Sequence, residues 1–137
     1  MEIRTKRIYE EPAGDDGARI LVDRNWPRGI SRERARLDGW ERDLAPSKEL
    51  RTWFDHQPER FEKFRRTYLE ELRRQRARLA ALRARARRGP VTLLYAARDT
   101  RHNNAVVLAA ALRRGLPSSS PSSSSSSSMA DRPEVPR

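Results

Sequence analysis

The chain has 137 residues, enough for one domain rather than two, and its thirty Lys+Arg against nineteen Asp+Glu give a net charge of +11, all of it carried before residue 117. With no cysteine there is no disulfide framework, thiolate nucleophile or cysteine-ligated zinc, which excludes chemistry of the rhodanese or cysteine-phosphatase kind. No apolar run approaches the ~20 residues of a spanning helix, and MEIRTKRIYE lacks the apolar core of a signal peptide, so the expectation is a soluble, cytoplasmic protein with no membrane partner.

In chain order, residues 3–9 mix β-branched and aromatic side chains with charges and read as a strand, and the turn formers of EPAGDDG follow. Residues 18–23 (ARILVD) carry a continuous Ile20-Leu21-Val22 centre that suits a strand buried on both faces. Ser31 is placed to cap a short helix through Arg36, and Ser47 a second over KELRTWF. Pro58 sits where the first turn of a long basic helix needs no N–H, and Gly89-Pro90 stops that helix. Along residues 59–88 the positions Phe61, Phe64, Tyr68, Leu72, Leu79, Leu82 and Ala86 recur at three- and four-residue steps and should face a core. Residues 91–96 (VTLLYA) are the clearest strand, leading through Asp99 and Thr100 into an apolar helix over about 102–114. Strand, helix, strand, helix is an α/β order. It predicts a small single domain over residues 1–116, a partly parallel sheet flanked by helices. The Ser- and Pro-rich residues 117–137 have too little apolar surface to order themselves and read as a disordered tail.

Two segments concentrate chemistry. Asp23-Arg24-Asn25-Trp26-Pro27-Arg28-Gly29 follows a buried strand, and open α/β sheets bind ligands beyond the carboxyl ends of their strands. Arg24 and Arg28 present planar forks suited to phosphate or carboxylate, Trp26 a flat wall, and Gly29 room for close backbone approach. The structural alternative pairs Asp23 with an arginine, buries Trp26 and makes Pro27-Arg28-Gly29 a turn. The second segment, Asp99-Thr100-Arg101-His102-Asn103-Asn104, starts a helix just past a strand, where N–H groups and the helix dipole favour an anion. There Asp99 or Thr100 can cap, His102 can titrate, and the Asn103 amide can donate to a ligand. Capping with a solvent-facing histidine is its structural alternative. If the two strands are neighbours, Asp23, Arg24, Asp99 and His102 converge on one rim.

The quoted segments, with LDGWERDLAPS and the histidine of WFDHQPERFEKF between LVDRNWPRG and GPVTLLYAARDTRHNNAVVL, resemble the YeaO-like bacterial proteins, a branch of a domain-of-unknown-function family. The resemblance covers residues 1–114 and leaves the Ser-rich tail outside. It implies a small α/β domain in which Asp23, Arg24, Trp26, Pro27, Arg28, Gly29, His102, Asn103 and Ala105 match the family pattern, and it brings no established activity. Asn25 departs from that pattern, where relatives more often carry leucine, which implies different packing behind the loop.

Other chemistries find less support. Eight arginines and no acid lie in residues 73–88, a run that fits either a solvated face or weak nucleic-acid binding by counterion release. Only Lys6, Lys48 and Lys63 are lysines, so 27 of the 30 bases are arginine; such a skew, with abundant alanine, is what a GC-rich genome produces. His56 and His102 are the two histidines and lack metal-ligand spacing, so no metal is expected; no dinucleotide, P-loop or hydrolase motif names a cofactor or a nucleophile. The resulting expectation is a pocket for a small anionic, nucleotide-like ligand. In it Arg24 and Arg28 grip the anion with Gly29 and Asn103 beside them, Trp26 walls the site, and His102 is the acid/base candidate, oriented by Asp23 or Asp99. Whether such a site turns anything over is left open by these residues; the nucleic-acid reading is its alternative.

Overall fold

Each of the three strands marked in the sequence becomes a parallel strand. The computed structural model describes residues 1–116, and in it β1 (Ile3–Arg7), β2 (Ala18–Leu21), β3 (Gly39–Trp40) and β4 (Val91–Tyr95) form one sheet in the order β1-β4-β2-β3. Every pairing is parallel: Val91 lies between Ile3 and Ala18, Leu94 between Lys6 and Leu21, and Leu21 meets Trp40 on the far side. The Ser-rich segment read as a disordered tail lies outside the described residues.

Parallel strands buried on both faces need cover on both, and the two faces are covered differently. Ile20 and Val22 join Val91, Leu93 and Tyr95 in the larger core, under α2 (Lys48–Phe54), α3 (Phe61–Arg73), α4 (Arg76–Arg88) and α5 (Asn104–Arg114). The alternate residues Leu21 and Leu94 face the smaller core of Ile8, Ile30 and Ala35, closed by Trp26, Trp40 and the single-turn α1 (Arg32–Ala35). This is a small α/β domain, and among its described residues no helix is long and apolar enough to cross a membrane.

Local chemistry sets the element ends. Ser31 and Ser47 accept from the N–H groups of Arg34 and Leu50, capping α1 and α2 as their positions predict. The long helix expected over residues 59–88 is interrupted: a 3-10 turn at Pro58–Arg60 precedes α3, and a turn at Arg74 and Gln75 separates α3 from α4. Between Leu72 and Leu79 only Ala77 is apolar, so no anchor holds one continuous helix to the core there. Gly17 is obligatory. Its φ is +68°, and a Cβ there would lie 2.2 Å from the Pro90 carbonyl oxygen, inside the contact that aligns β2 with β4.

The last helix also starts differently from expectation. Neither Asp99 nor Thr100 caps α5; Asn103 does, its Oδ1 accepting from Val106 N–H at 3.0 Å while its Nδ2 donates to the Asp99 carbonyl at 2.9 Å. Asp99 instead folds the preceding turn, its Oδ1 accepting from the N–H groups of Arg101 and His102, both at 2.9 Å.

Candidate functional site

A cleft of about 460 Å³ opens at the carboxyl ends of β2 and β4. The chain leaves these neighbouring strands in different directions, from β2 toward β3 and from β4 into α5, which packs beside β1. Such divergence is what opens a crevice at the edge of a parallel sheet.

Asp23 forms one wall of the cleft. Its Oδ2 accepts from Ala96 N–H at 2.9 Å and its Oδ1 from Asn104 Nδ2 at 3.2 Å, the same amide also donating to the Val22 carbonyl at 2.9 Å. These bonds tie the end of β2 to the end of β4 and the first turn of α5. Burial raises the Asp23 carboxyl above its ordinary value; the Ala96 N–H, the Asn104 amide and the charges of Arg51 and His56 only partly offset that. No arginine stands within 4 Å of it among the described residues, so the Asp23–arginine pair of the structural alternative is not formed there.

The arginines face the opening instead. Arg24 is half-buried and, among the described residues, tethered only by a long contact of Nε to the Pro46 carbonyl at 3.4 Å, while Arg28 is exposed on the rim. Arg51, one turn before the end of α2, contributes a third guanidinium. Among the described residues none of the three is paired with a carboxylate, whereas Arg4, Arg19, Arg65 and Arg78 elsewhere each are.

His102 also lines the cleft. Its Nδ1 lies 2.9 Å from Asp99 Oδ2, its ring meets Phe61 edge-on at 5.1 Å, and Nε2 is left for another partner. Asp99 lies outside the lining, and the N–H groups of Arg101 and His102 hold its carboxyl below the ordinary range. Of the two aspartates considered for orienting His102, Asp99 is the one in contact.

Three other positions have structural uses. Trp26 touches the cleft, but its Nε1 donates to the Ile30 carbonyl at 2.7 Å, its edge packs on Trp40 at 5.4 Å, and the Arg32 guanidinium lies 4.9 Å from its ring centre. Gly29 is not part of the lining; its φ of +78° serves the turn, and a side chain there would meet open space. Asn103 lines the cleft, yet it is buried and both ends of its amide are engaged in capping, so it has little left to offer a ligand. Asn25, the departure from the family pattern, is exposed on the cleft and alters its wall rather than packing behind the loop.

Arg51 and His56 were not singled out by their sequence context as lining one site. They arrive through tertiary contacts: Glu71 of α3 accepts from Ser47 N–H at 2.9 Å and Ser47 Oγ at 2.6 Å, docking the start of α2, and Asp55 and His56 then turn the chain with φ of 48° and 54°. Two consecutive non-glycine residues in the left-handed region store strain beside the cleft. The sequence signal was faint. His56 is one of two histidines, and it stands just past a capped helix.

A family model described as the inactive DUF488-N3 subclade matches residues 2–130. The chain belongs to this subclade. It is 48% identical over 110 residues to the uncharacterized protein Rv3073c of Mycobacterium tuberculosis, covering 80% of this chain and 92% of that one. To the uncharacterized protein YeaO of Escherichia coli K12 it is 43% identical over 113 residues, covering 82% and 98%. No solved structure matches. The YeaO-like resemblance read from the motifs is therefore a family relationship, and among the described residues of this DUF488-N3 member no group of three or more His, Asp or Glu is placed to hold a metal ion.

Proposed function

We propose that the cleft binds a small anionic ligand, phosphate- or carboxylate-bearing, at the carboxyl edge of the sheet. The observation that carries this reading is three guanidinium groups, Arg24, Arg28 and Arg51, around one cleft with no carboxylate paired to any of them among the described residues. Unpaired arginines gathered at a concave site of this size favour an anion, and their planar forks favour one with paired oxygens. His102, its Nδ1–H directed at Asp99, presents Nε2 to the cleft, where it donates to an anion when the ring carries both protons. The subclade's description as inactive favours binding over turnover, so His102 is read here as a ligand contact.

The alternative, weak nucleic-acid binding through the basic residues 59–88, is less well supported. Arg78 pairs with Asp43 at 2.8 Å, Arg73 with Glu70 at 2.6 Å, and Arg83 donates to the Leu112 and Ala111 carbonyls at the end of α5. Those three charges are engaged within the fold and are less free to follow a phosphate backbone, while Arg74, Arg76, Arg87 and Arg88 stay exposed and carry what is left of this alternative.

The test is calorimetric titration with inorganic phosphate, nucleoside monophosphates and sugar phosphates, repeated on Arg24→Lys. Lysine keeps the charge and loses the two-pronged geometry, so a bound anion should weaken about tenfold or more while the melting temperature holds, a charge-assisted hydrogen bond being worth roughly 1.5–3 kcal/mol. Absence of binding by any of these anions at millimolar concentration overturns the proposal. So does unchanged affinity in the variant.

A further inference from the structure

We infer that the ligand is a guanine nucleoside monophosphate, its base seated against Asp23 and its phosphate among Arg24, Arg28 and Arg51. This rests on the anion-site reading above and adds the identity of the ligand's other half.

Charges of both signs line the cleft, Asp55 exposed and Asp23 half-buried among them. Arg28 is exposed at the rim, Arg24 and Arg51 are half-buried, and the Asp23 carboxylate lies at the sheet edge, bonded to the backbone of the neighbouring strand and to α5. A phosphate is costlier to dehydrate than a neutral ring, so a ligand carrying both leaves its phosphate at the rim and turns its ring inward. The inner wall suits a ring: Phe54 and Phe64, stacked with centroids 4.5 Å apart, both line it. The volume of about 460 Å³ lies within the range of small-molecule sites.

Asp23 decides which ring. A carboxylate has acceptor sites for about four hydrogen bonds, and here each oxygen accepts one from the protein, Oδ2 from Ala96 N–H and Oδ1 from Asn104 Nδ2. Acceptor capacity therefore remains on both oxygens, and no cation stands within 4 Å among the described residues to use it. Two adjacent N–H donors on one edge of a planar ring match a carboxylate, which takes such pairs in the bidentate manner it takes arginine. Guanine supplies them from its ring N–H and exocyclic amine. Hypoxanthine lacks the amine, and adenine presents an acceptor where the ring N–H must be. A site whose buried polar group is left unpaired by the wrong ligand discriminates strongly.

The experiment is calorimetric titration of the full chain with GMP, IMP, AMP and inorganic phosphate, on wild type, Asp23→Asn and Arg24→Lys. Wild type should bind GMP at least tenfold more tightly than IMP or AMP; Asp23→Asn should bring GMP down to the affinity of IMP, and Arg24→Lys should weaken all four probes in proportion. Equal affinity for GMP and IMP overturns the guanine assignment, and if both still weaken in Arg24→Lys the anion site itself stands. A preference for GMP that survives Asp23→Asn also overturns it. If no probe binds, the guanine assignment falls, and the anion site falls with it if sugar phosphates fail as well. Should Asp23→Asn fail to fold, the wild-type ranking of GMP, IMP and AMP decides alone.

Discussion

The two ends of the sheet treat charge in opposite ways. At the amino end, Asp16 and Arg19 are buried and saturated: Asp16 accepts from Ala13 N–H, Lys6 and Arg19, while Arg19 also donates twice to the Ala35 carbonyl. Thr92 Oγ1 donates to the Asp16 carbonyl at 2.7 Å, and Asp38 accepts from Arg19 N–H at 2.8 Å, which locks β4 and the approach to β3 into the same network. At the carboxyl end, Asp23 is held by neutral donors and the nearby arginines are left without carboxylate partners. A network with every member satisfied fixes a fold; a charged cleft with members left over is poised to take a ligand. Composition cannot separate the two, because both ends use aspartate and arginine.

The largest expected effect lies at the saturated end. Asp16→Ala leaves the Arg19 guanidinium buried with its carboxylate partner gone, a loss of about 3–5 kcal/mol by the behaviour of broken buried ion pairs. Urea unfolding should show it as a lower midpoint, and any protein that remains folded should bind the anion of the cleft normally. A loss under about 1 kcal/mol would mean that the amino-end network is no tighter than a surface pair, and the comparison would collapse.

How much of this was legible depended on whether the determining contacts were local. Caps at Ser31 and Ser47, the apolar centres of β2 and β4 and the stop at Gly89-Pro90 are encoded within a few residues, and each is found where the pattern places it. The convergence of Asp23, Arg24, Asp99 and His102 was conditional on β2 and β4 being parallel neighbours, which they are; Asp23, Arg24 and His102 line one cleft together with Arg28, and Asp99 lies outside its lining. β3 escaped because two residues, Gly39 and Trp40, carry no periodicity. Arg51 and His56 escaped because the docking of α2 on Glu71 spans 24 residues of chain. The break after α3 escaped because no glycine or proline marks it.

A smaller effect is expected at Asn103, on the boundary between the two kinds of residue. Asn103→Ala removes the α5 cap and the bond to the Asp99 carbonyl, and losing such a cap costs about 1 kcal/mol, up to about 2 in a buried setting. The melting temperature should fall by a few degrees while affinity for the cleft anion is kept. Lost affinity without lost stability would return Asn103 to the ligand contacts and widen the site.

The smallest effect is a difference in sign between the two aspartates as pH changes. For Asp16, burial pushes the carboxyl up, but the Ala13 N–H, Lys6 and Arg19 together outweigh it and hold the folded value below 3.8. Its contribution is therefore present above 3.8 and lost as pH falls through the folded value. For Asp23 the folded value lies above 3.8, burial outweighing the donors around it. The folded state then holds its proton more tightly than the unfolded chain does, so the Asp23 contribution is fully present below 3.8 and is lost as pH rises through the folded value. Urea midpoints measured from about pH 7 to about pH 2.5 on wild type, Asp16→Asn and Asp23→Asn isolate the two contributions as differences from wild type. Relative to Asp23→Asn, wild type should gain stability as pH drops from neutral toward 3.8; relative to Asp16→Asn, it should lose stability only below 3.8. Slopes of the same sign would mean that Asp23 is paired in solution as Asp16 is, and its carboxylate would then not be free to take a ligand.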